Sequence, residues 1–119
     1  MFSKRLILIG FILPFKVFSS GYIHSLDAGG AIDKYQILGN GGLVVWMKEQ
    51  HPKNPDNCTM KSHVYIKSSL PQYKDILALV MSAHAQGNKI GFWSSGCTTT
   101  YFWGPAHTLP EIRDAWTVN

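Results

Sequence analysis

Two cysteines, Cys58 and Cys97, narrow the folds open to this chain more than any other feature. They are its only cysteines. Joining them would close a loop of about 40 residues and stabilise the folded state by roughly 4 kcal/mol in the chain-entropy description, less if the bond were strained. A metal pair and a reactive thiol are the other readings, but no Cys-x-x-Cys spacing supports either, so the disulfide is the expectation. It needs an oxidising compartment.

The N-terminus predicts how the chain reaches one. Lys4 and Arg5 precede an almost unbroken apolar run over residues 6–15, and the small residues Ser19, Ser20 and Gly21 come next. This is the order of a cleavable signal peptide. A membrane-spanning helix needs about 20 apolar residues, and this run is shorter and interrupted by Pro14 and Lys16. Residues 1–20 are therefore read as a signal, cut after residue 19 to 21, and residues 21–119 as one domain. No cysteine stands at the cut to carry a lipid. Lys4, Arg5 and Lys16 leave with the signal, so eight Lys and Arg face seven Asp and Glu, and net charge falls from +4 to about +1. The basic character of the precursor belongs largely to its address label and gives no ground for nucleic-acid binding.

Along the mature part, alternation at Tyr22, His24 and Leu26 predicts a strand, ended by Asp27, Ala28, Gly29 and Gly30. Residues 32–38 read as a second strand and 43–47 as a third, and the Asn-Gly between them signals an antiparallel hairpin. Pro52, Asn54, Pro55 and Asp56 mark a surface loop leading to Cys58. After a short extended stretch at 64–66, Ser69 is the expected N-cap of a helix with Pro71 in its first turn and Gly87 as its left-handed end. Its stripe of Tyr73, Ile76, Leu77, Val80, Met81 and His84 predicts the buried face. Residues 89–94 alternate as a strand that delivers Cys97, residues 96–110 lack periodicity, and 111–118 close the fold. The expected class is mainly β with one helix: a small OB-like five-stranded barrel in the order β-β-β-α-β-β, with one disulfide.

The helix and the segment after it carry a family likeness. The text Tyr73-Lys74-Asp75-Ile76-Leu77-Ala78-Leu79, then Ala83-His84-Ala85-Gln86-Gly87-Asn88-Lys89-Ile90-Gly91-Phe92, then Gly96-Cys97, with Cys58 upstream, resembles the secreted binding (B-type) subunits of pertussis-like and subtilase-type bacterial toxins and related small exported bacterial proteins. The likeness covers roughly the second half of the mature chain. It implies an OB-type barrel, a disulfide from the segment before the helix to the strand after it, and a host-glycan-binding, ring-forming subunit without enzymatic activity. The family's sugar-binding serine and aromatic positions have no counterpart on the first strands here, so no binding residue is carried over.

The residue constellations point the same way. His24, His51, His63, His84 and His107 form no His-x-x-x-His pair on one element and read as scattered surface or half-buried side chains. Ser82, Ser94 and Ser95 lie in no nucleophile-elbow pattern. Gly39, Asn40, Gly41 and Gly42 precede a strand and lack a Lys-Ser/Thr end, so they make a turn rather than a phosphate cradle. Asn57-Cys58-Thr59 matches a glycosylation sequon, which matters only in a eukaryotic secretory pathway. Residues 98–104 hold three threonines beside Tyr101, Phe102 and Trp103, more aromatic and hydroxyl groups than a connection needs. Aromatic faces stack on sugar rings and hydroxyls supply adaptable hydrogen bonds, so Thr99, Thr100, Tyr101 and Trp103 are the candidate ligand-binding residues. The other reading is that Phe102 and Trp103 cap the core or cover the disulfide.

The expected function is an exported, non-enzymatic binding module for a glycan or a partner protein. The alternative is a periplasmic accessory or inhibitor-like subunit acting through an oligomer interface, with a homo-oligomer as its assembly. No cofactor or metal, no nucleic-acid partner and no stable membrane insertion are expected. A hydrolase would need clustered carboxylates or a Cys/Ser–His pair, and the acids are spread singly along the chain.

Overall fold

The computed structural model describes residues 20–100 and 103–118, and the signal-peptide reading of the N-terminus lies outside them. The elements run β1 (Gly21–Tyr22), β2 (Ile32–Ile37), β3 (Leu43–Met47), β4 (His63–Ile66), α1 (Tyr73–Gln86), β5 (Lys89–Thr100) and β6 (Gly104–Val118). They form one six-stranded sheet in the order β1-β5-β6-β4-β3-β2. Every pairing is antiparallel except β4 with β6, which meet in parallel at Tyr65 and Glu111.

The mainly β class with one helix holds, and two details differ from the expected five-stranded barrel. Among the described residues the strands number six, because residues 63–66 pair along β3 as a full ladder. The sheet is open: its far end approaches β5 only at the Gly30–Ile90 bridge, through two hydrogen bonds of 2.8 and 2.9 Å. The ladder stops there for a physical reason. The chain from residue 23 to 29 turns away after two strand residues, and a register shift between Ile32 and Lys34 interrupts the start of β2. Gly29 fits only because it lacks a side chain, since a Cβ would sit 2.7 Å from the Ile90 carbonyl group.

The Asn-Gly hairpin forms as read, with Leu38 N–H donating to the Gly42 carbonyl at 2.7 Å and Gly41 at φ 86°. Residues 89–100 and 104–118 make one long hairpin, longer than the expected strands 89–94 and 111–118. The β-branched threonines extend it: Thr98 pairs with Leu109 and Thr99 with Thr108. Gly96, at φ 134°, absorbs the register shift that divides its inner part from this outer arm.

Helix α1 begins later than its sequence suggests. Ser69 is not the N-cap; that position falls to Gln72, which makes no side-chain capping bond. Pro71 steers the residue before it away from helical angles, so residues 67–73 form turns instead, Leu70 N–H bonding Lys67 O and Tyr73 N–H bonding Leu70 O. Gly87 ends the helix in the left-handed conformation, as read.

Ile76, Val80 and Ala83 seat the helix on a core of Ile23, Ile32, Leu43, Val45, Met47, Val64, Ile66, Ile90, Phe92 and Ile112. The expected buried stripe is corrected at four places. Tyr73 and Leu77 are only partly buried, Met81 is 49% exposed, and His84 lies outside with its ring edge-on to Tyr35 at 5.5 Å. The helix touches the sheet along a narrower arc than a fully sandwiched helix would.

Candidate aromatic face and histidine cluster

Alternation along β3 and β4 sends one set of side chains into the core and the other outward. The outward set is Val44 and Trp46 on β3, and Tyr65 and His63 opposite them on β4. The β5–β6 arm folds over this face. Leu109 is fully buried against Leu38, Val44 and Tyr65, and Trp46, Met60 and Trp103 pack around them as a second, smaller core. Gly42 lies against the Tyr65 ring so closely that a Cβ there would stand 2.6 Å from the phenol oxygen. Asn40 braces the same phenol, its Nδ2 donating to Tyr65 Oη at 3.1 Å.

At the open end of this face Trp46, His63 and Trp103 meet edge to face. Their ring centroids are 5.3 Å apart for Trp46–His63, 5.6 Å for Trp46–Trp103 and 5.4 Å for His63–Trp103. This is the favoured geometry of aromatic pairs. Lys34 Nζ stands 5.0 Å over the Trp46 ring, a cation on its negative face. All three rings are half-buried, so part of each meets solvent.

The loop of residues 48–62 ties the arm in place. Cys58 and Cys97 are bonded, their Cα atoms 5.6 Å apart. Thr59 N–H donates to Thr108 Oγ1 at 2.9 Å, Thr108 N–H donates to Thr59 Oγ1 at 2.8 Å, and Met60 N–H donates to the Thr108 carbonyl at 2.9 Å. Beside the disulfide, buried Ser94 donates its hydroxyl to Asp56 Oδ2 at 2.6 Å, a bond that pins the loop from below.

The expected ligand-binding residues are divided by the fold. Thr99 is exposed on the arm, and Thr100 pairs with Gly104 across its end. Tyr101 and Phe102 lie outside the described residues. Trp103 is no free-standing loop aromatic; it is one wall of the trio with Trp46 and His63. Sequence reading missed Trp46, His63, Tyr65 and Lys34. The available signal was the i, i+2 spacing of Val44 with Trp46 and of His63 with Tyr65 on neighbouring strands.

It also missed that three of the five histidines converge. His24 and His51 rings are 6.3 Å apart, and His51 Nε2 bonds the His63 carbonyl at 2.9 Å. A carbonyl only accepts, so His51 Nε2 carries the proton and its Nδ1 is a bare lone pair, buried and without a partner. His24, 3% exposed, accepts the Phe92 N–H at Nδ1 at 3.3 Å. Burial, helped by His51, pushes the His24 pKa down to about 4. His51 is lowered by burial, against a smaller upward pull from its bond to His63, and His63 is lowered by burial and then by His51 and Lys34. Among the described residues no group of three His, Cys, Asp or Glu side chains can hold a metal ion.

A different aromatic group lies on the outer surface of β1, β5 and β6. Tyr22 meets Trp116 edge-on at 5.9 Å, Trp116 donates Nε1–H to the Ala28 carbonyl at 3.0 Å, and the Arg113 guanidinium covers Trp93 at 4.1 Å. Clefts of 290 to 330 Å³ lie near α1, one of them between the helix and residues 113–115 of β6. No helix among the described residues is long and apolar enough to cross a membrane.

Fold and site together define a small, disulfide-stapled, mainly β domain whose outer face is lined with aromatic rings and covered by a hairpin arm. No protein family, curated protein or solved structure matches the chain.

Proposed function

We infer that the mature domain is an exported, non-enzymatic binding module, of the kind the toxin binding subunits exemplify, and that it takes a glycan on the face of Trp46, His63 and Trp103. One observation carries this reading: half-buried rings from β3, β4 and the arm converge at one surface, with Lys34 over Trp46 and the hydroxyls of Thr98 and Thr99 on the same arm. Aromatic faces held rigid by their neighbours bind flat apolar sugar faces at low entropic cost, and hydroxyls and a cation supply polar contacts. The resemblance of residues 73–97 to toxin binding subunits supports the same class. A glycan array probed with the mature protein should retain it, and Trp46→Ala should reduce retention at least about tenfold, the loss of one stacking contact. A wild-type protein that retains no glycan would overturn the glycan reading.

The accessory-subunit reading rests on a separate observation, the exposure of Tyr22, Leu26, Ile37 and Met81 at 44 to 65%. Sedimentation velocity over a concentration series decides it: a mass that stays that of one chain rules it out, and a discrete oligomer supports it.

A further inference from the structure

The three convergent histidines come from three separate parts of the chain: His24 from the segment after β1, His51 from the loop of residues 48–62, and His63 from β4. We propose that they form an acid-sensitive latch, which holds that loop and the Trp46–His63–Trp103 face together at neutral pH and releases them when the rings take up protons. The proposal concerns regulation of the face assigned above and rests on that assignment for its link to ligand, though not for the latch itself.

The geometry opposes proton uptake atom by atom. His24 Nδ1 accepts the Phe92 N–H, so a proton arriving there sets donor against donor and breaks the bond. His51 donates through Nε2 to the His63 carbonyl, so the only site left for a second proton is the buried Nδ1, where an N–H would find no acceptor. His63 Nδ1 has the Ser62 hydroxyl at 3.4 Å, and its ring is clasped by Trp46 and Trp103. The charged and titratable groups that act on these rings are other bases: His51 on both His24 and His63, and Lys34 of β2 on His63. Positive charge on any one makes the next harder to place, so relief comes by separating the elements.

What would separate is visible in the contacts. His51 joins the loop to β4 through the His63 carbonyl, its N–H closes the loop on itself by bonding Lys61 O at 2.7 Å, and the same loop carries Cys58 and Thr59, which hold the arm bearing Trp103. Movement at His51 and His63 therefore changes the surroundings of Trp46 and Trp103. Trp93 and Trp116 report on the His24 end of the cluster, since Trp93 follows Phe92 and pairs with Tyr22, and Trp116 packs on Tyr22 and bonds the Ala28 carbonyl.

The four tryptophans make the test direct. In the mature protein labelled with 5-fluorotryptophan, fluorine spectra from about pH 7.5 to 3.5 should show the Trp46 and Trp103 resonances moving while the far-ultraviolet circular dichroism stays native, with a midpoint matching the imidazole signals of the cluster. His51→Gln, which keeps a donor for the His63 carbonyl and removes the titrating ring, should abolish that movement or displace its midpoint by about one pH unit. Stationary Trp46 and Trp103 resonances, movement accompanied by loss of the native circular dichroism as in global unfolding, or a midpoint unchanged in a folded His51→Gln protein would each overturn the latch. Should His51→Gln not fold, imidazole midpoints in the wild type that differ from the tryptophan midpoint by more than about half a pH unit overturn it equally. For a glycan retained at neutral pH, affinity should fall about tenfold by pH 5. An unchanged affinity would overturn the link to the site, whereas an array with no retained glycan would count against the function above and leave the fluorine result standing.

Discussion

Trp103 shows how much a single side chain's surroundings decide. As a loop aromatic it would be removable at little cost, because truncating an exposed residue leaves no cavity. Half-buried between Trp46 and His63, it has contacts to lose. Trp103→Ala should therefore destabilise the domain by about 2 kcal/mol, below the cost for a fully buried tryptophan, as read from urea unfolding at neutral pH. A loss under about 0.5 kcal/mol would return it to the surface class. Gly42→Ala tests the same face from beneath. Its methyl group would meet the Tyr65 ring at 2.6 to 2.9 Å, so the ring must shift, and a loss of about 1 to 3 kcal/mol is expected.

At the scale of elements, α1 separates periodicity from burial. The stripe of apolar residues correctly places a helix, but only Ile76, Val80 and Ala83 are buried in the core. Ile76→Ala should cost about 2 to 5 kcal/mol, while Met81→Ala should fall within about 0.5 kcal/mol, both by denaturant unfolding. Equal losses would mean that the helix sits rotated from the orientation described. The long β5–β6 hairpin was legible only in part. Its inner half alternates as a strand should, but its outer half is written in threonines, glycines and prolines, residues that suit a loop equally well. Pairing across the arm, and anchorage by Thr59 and the disulfide, make it a ladder.

For the whole molecule, the disulfide and the histidine cluster set how stability responds to conditions. Reducing Cys58–Cys97 should lower stability by about 4 kcal/mol and raise hydrogen exchange in residues 48–62 first, since the bond joins that loop to β5. The pH response has a definite sign. His24 has its folded pKa pushed below the ordinary 6.5 to about 4, so the unfolded chain binds protons more readily than the folded one in that window. Stability should be full above about pH 6.5 and decline as pH falls toward 4, by roughly 3 kcal/mol from His24 alone. Unfolding midpoints in urea that stay level from pH 7 to 4.5 would contradict the burial of that ring.

What could be read from the order of residues was local or compositional: the β-rich class, the Asn-Gly hairpin, the helix and its glycine end, and the pairing of the only two cysteines. The pairing follows from there being only two cysteines, and the rest arise from short-range sterics and from hydrophobic period, which a few adjacent residues express by themselves. What only the tertiary structure decided was which residues meet. His24, His51 and His63 look scattered because no periodicity links residues from a turn, a loop and a strand, and Trp46 and Trp103 stand 57 positions apart. Their convergence depends on strand register and on the arm folding over the sheet, both settled by packing over long separations, so neither leaves a mark in any short stretch of sequence.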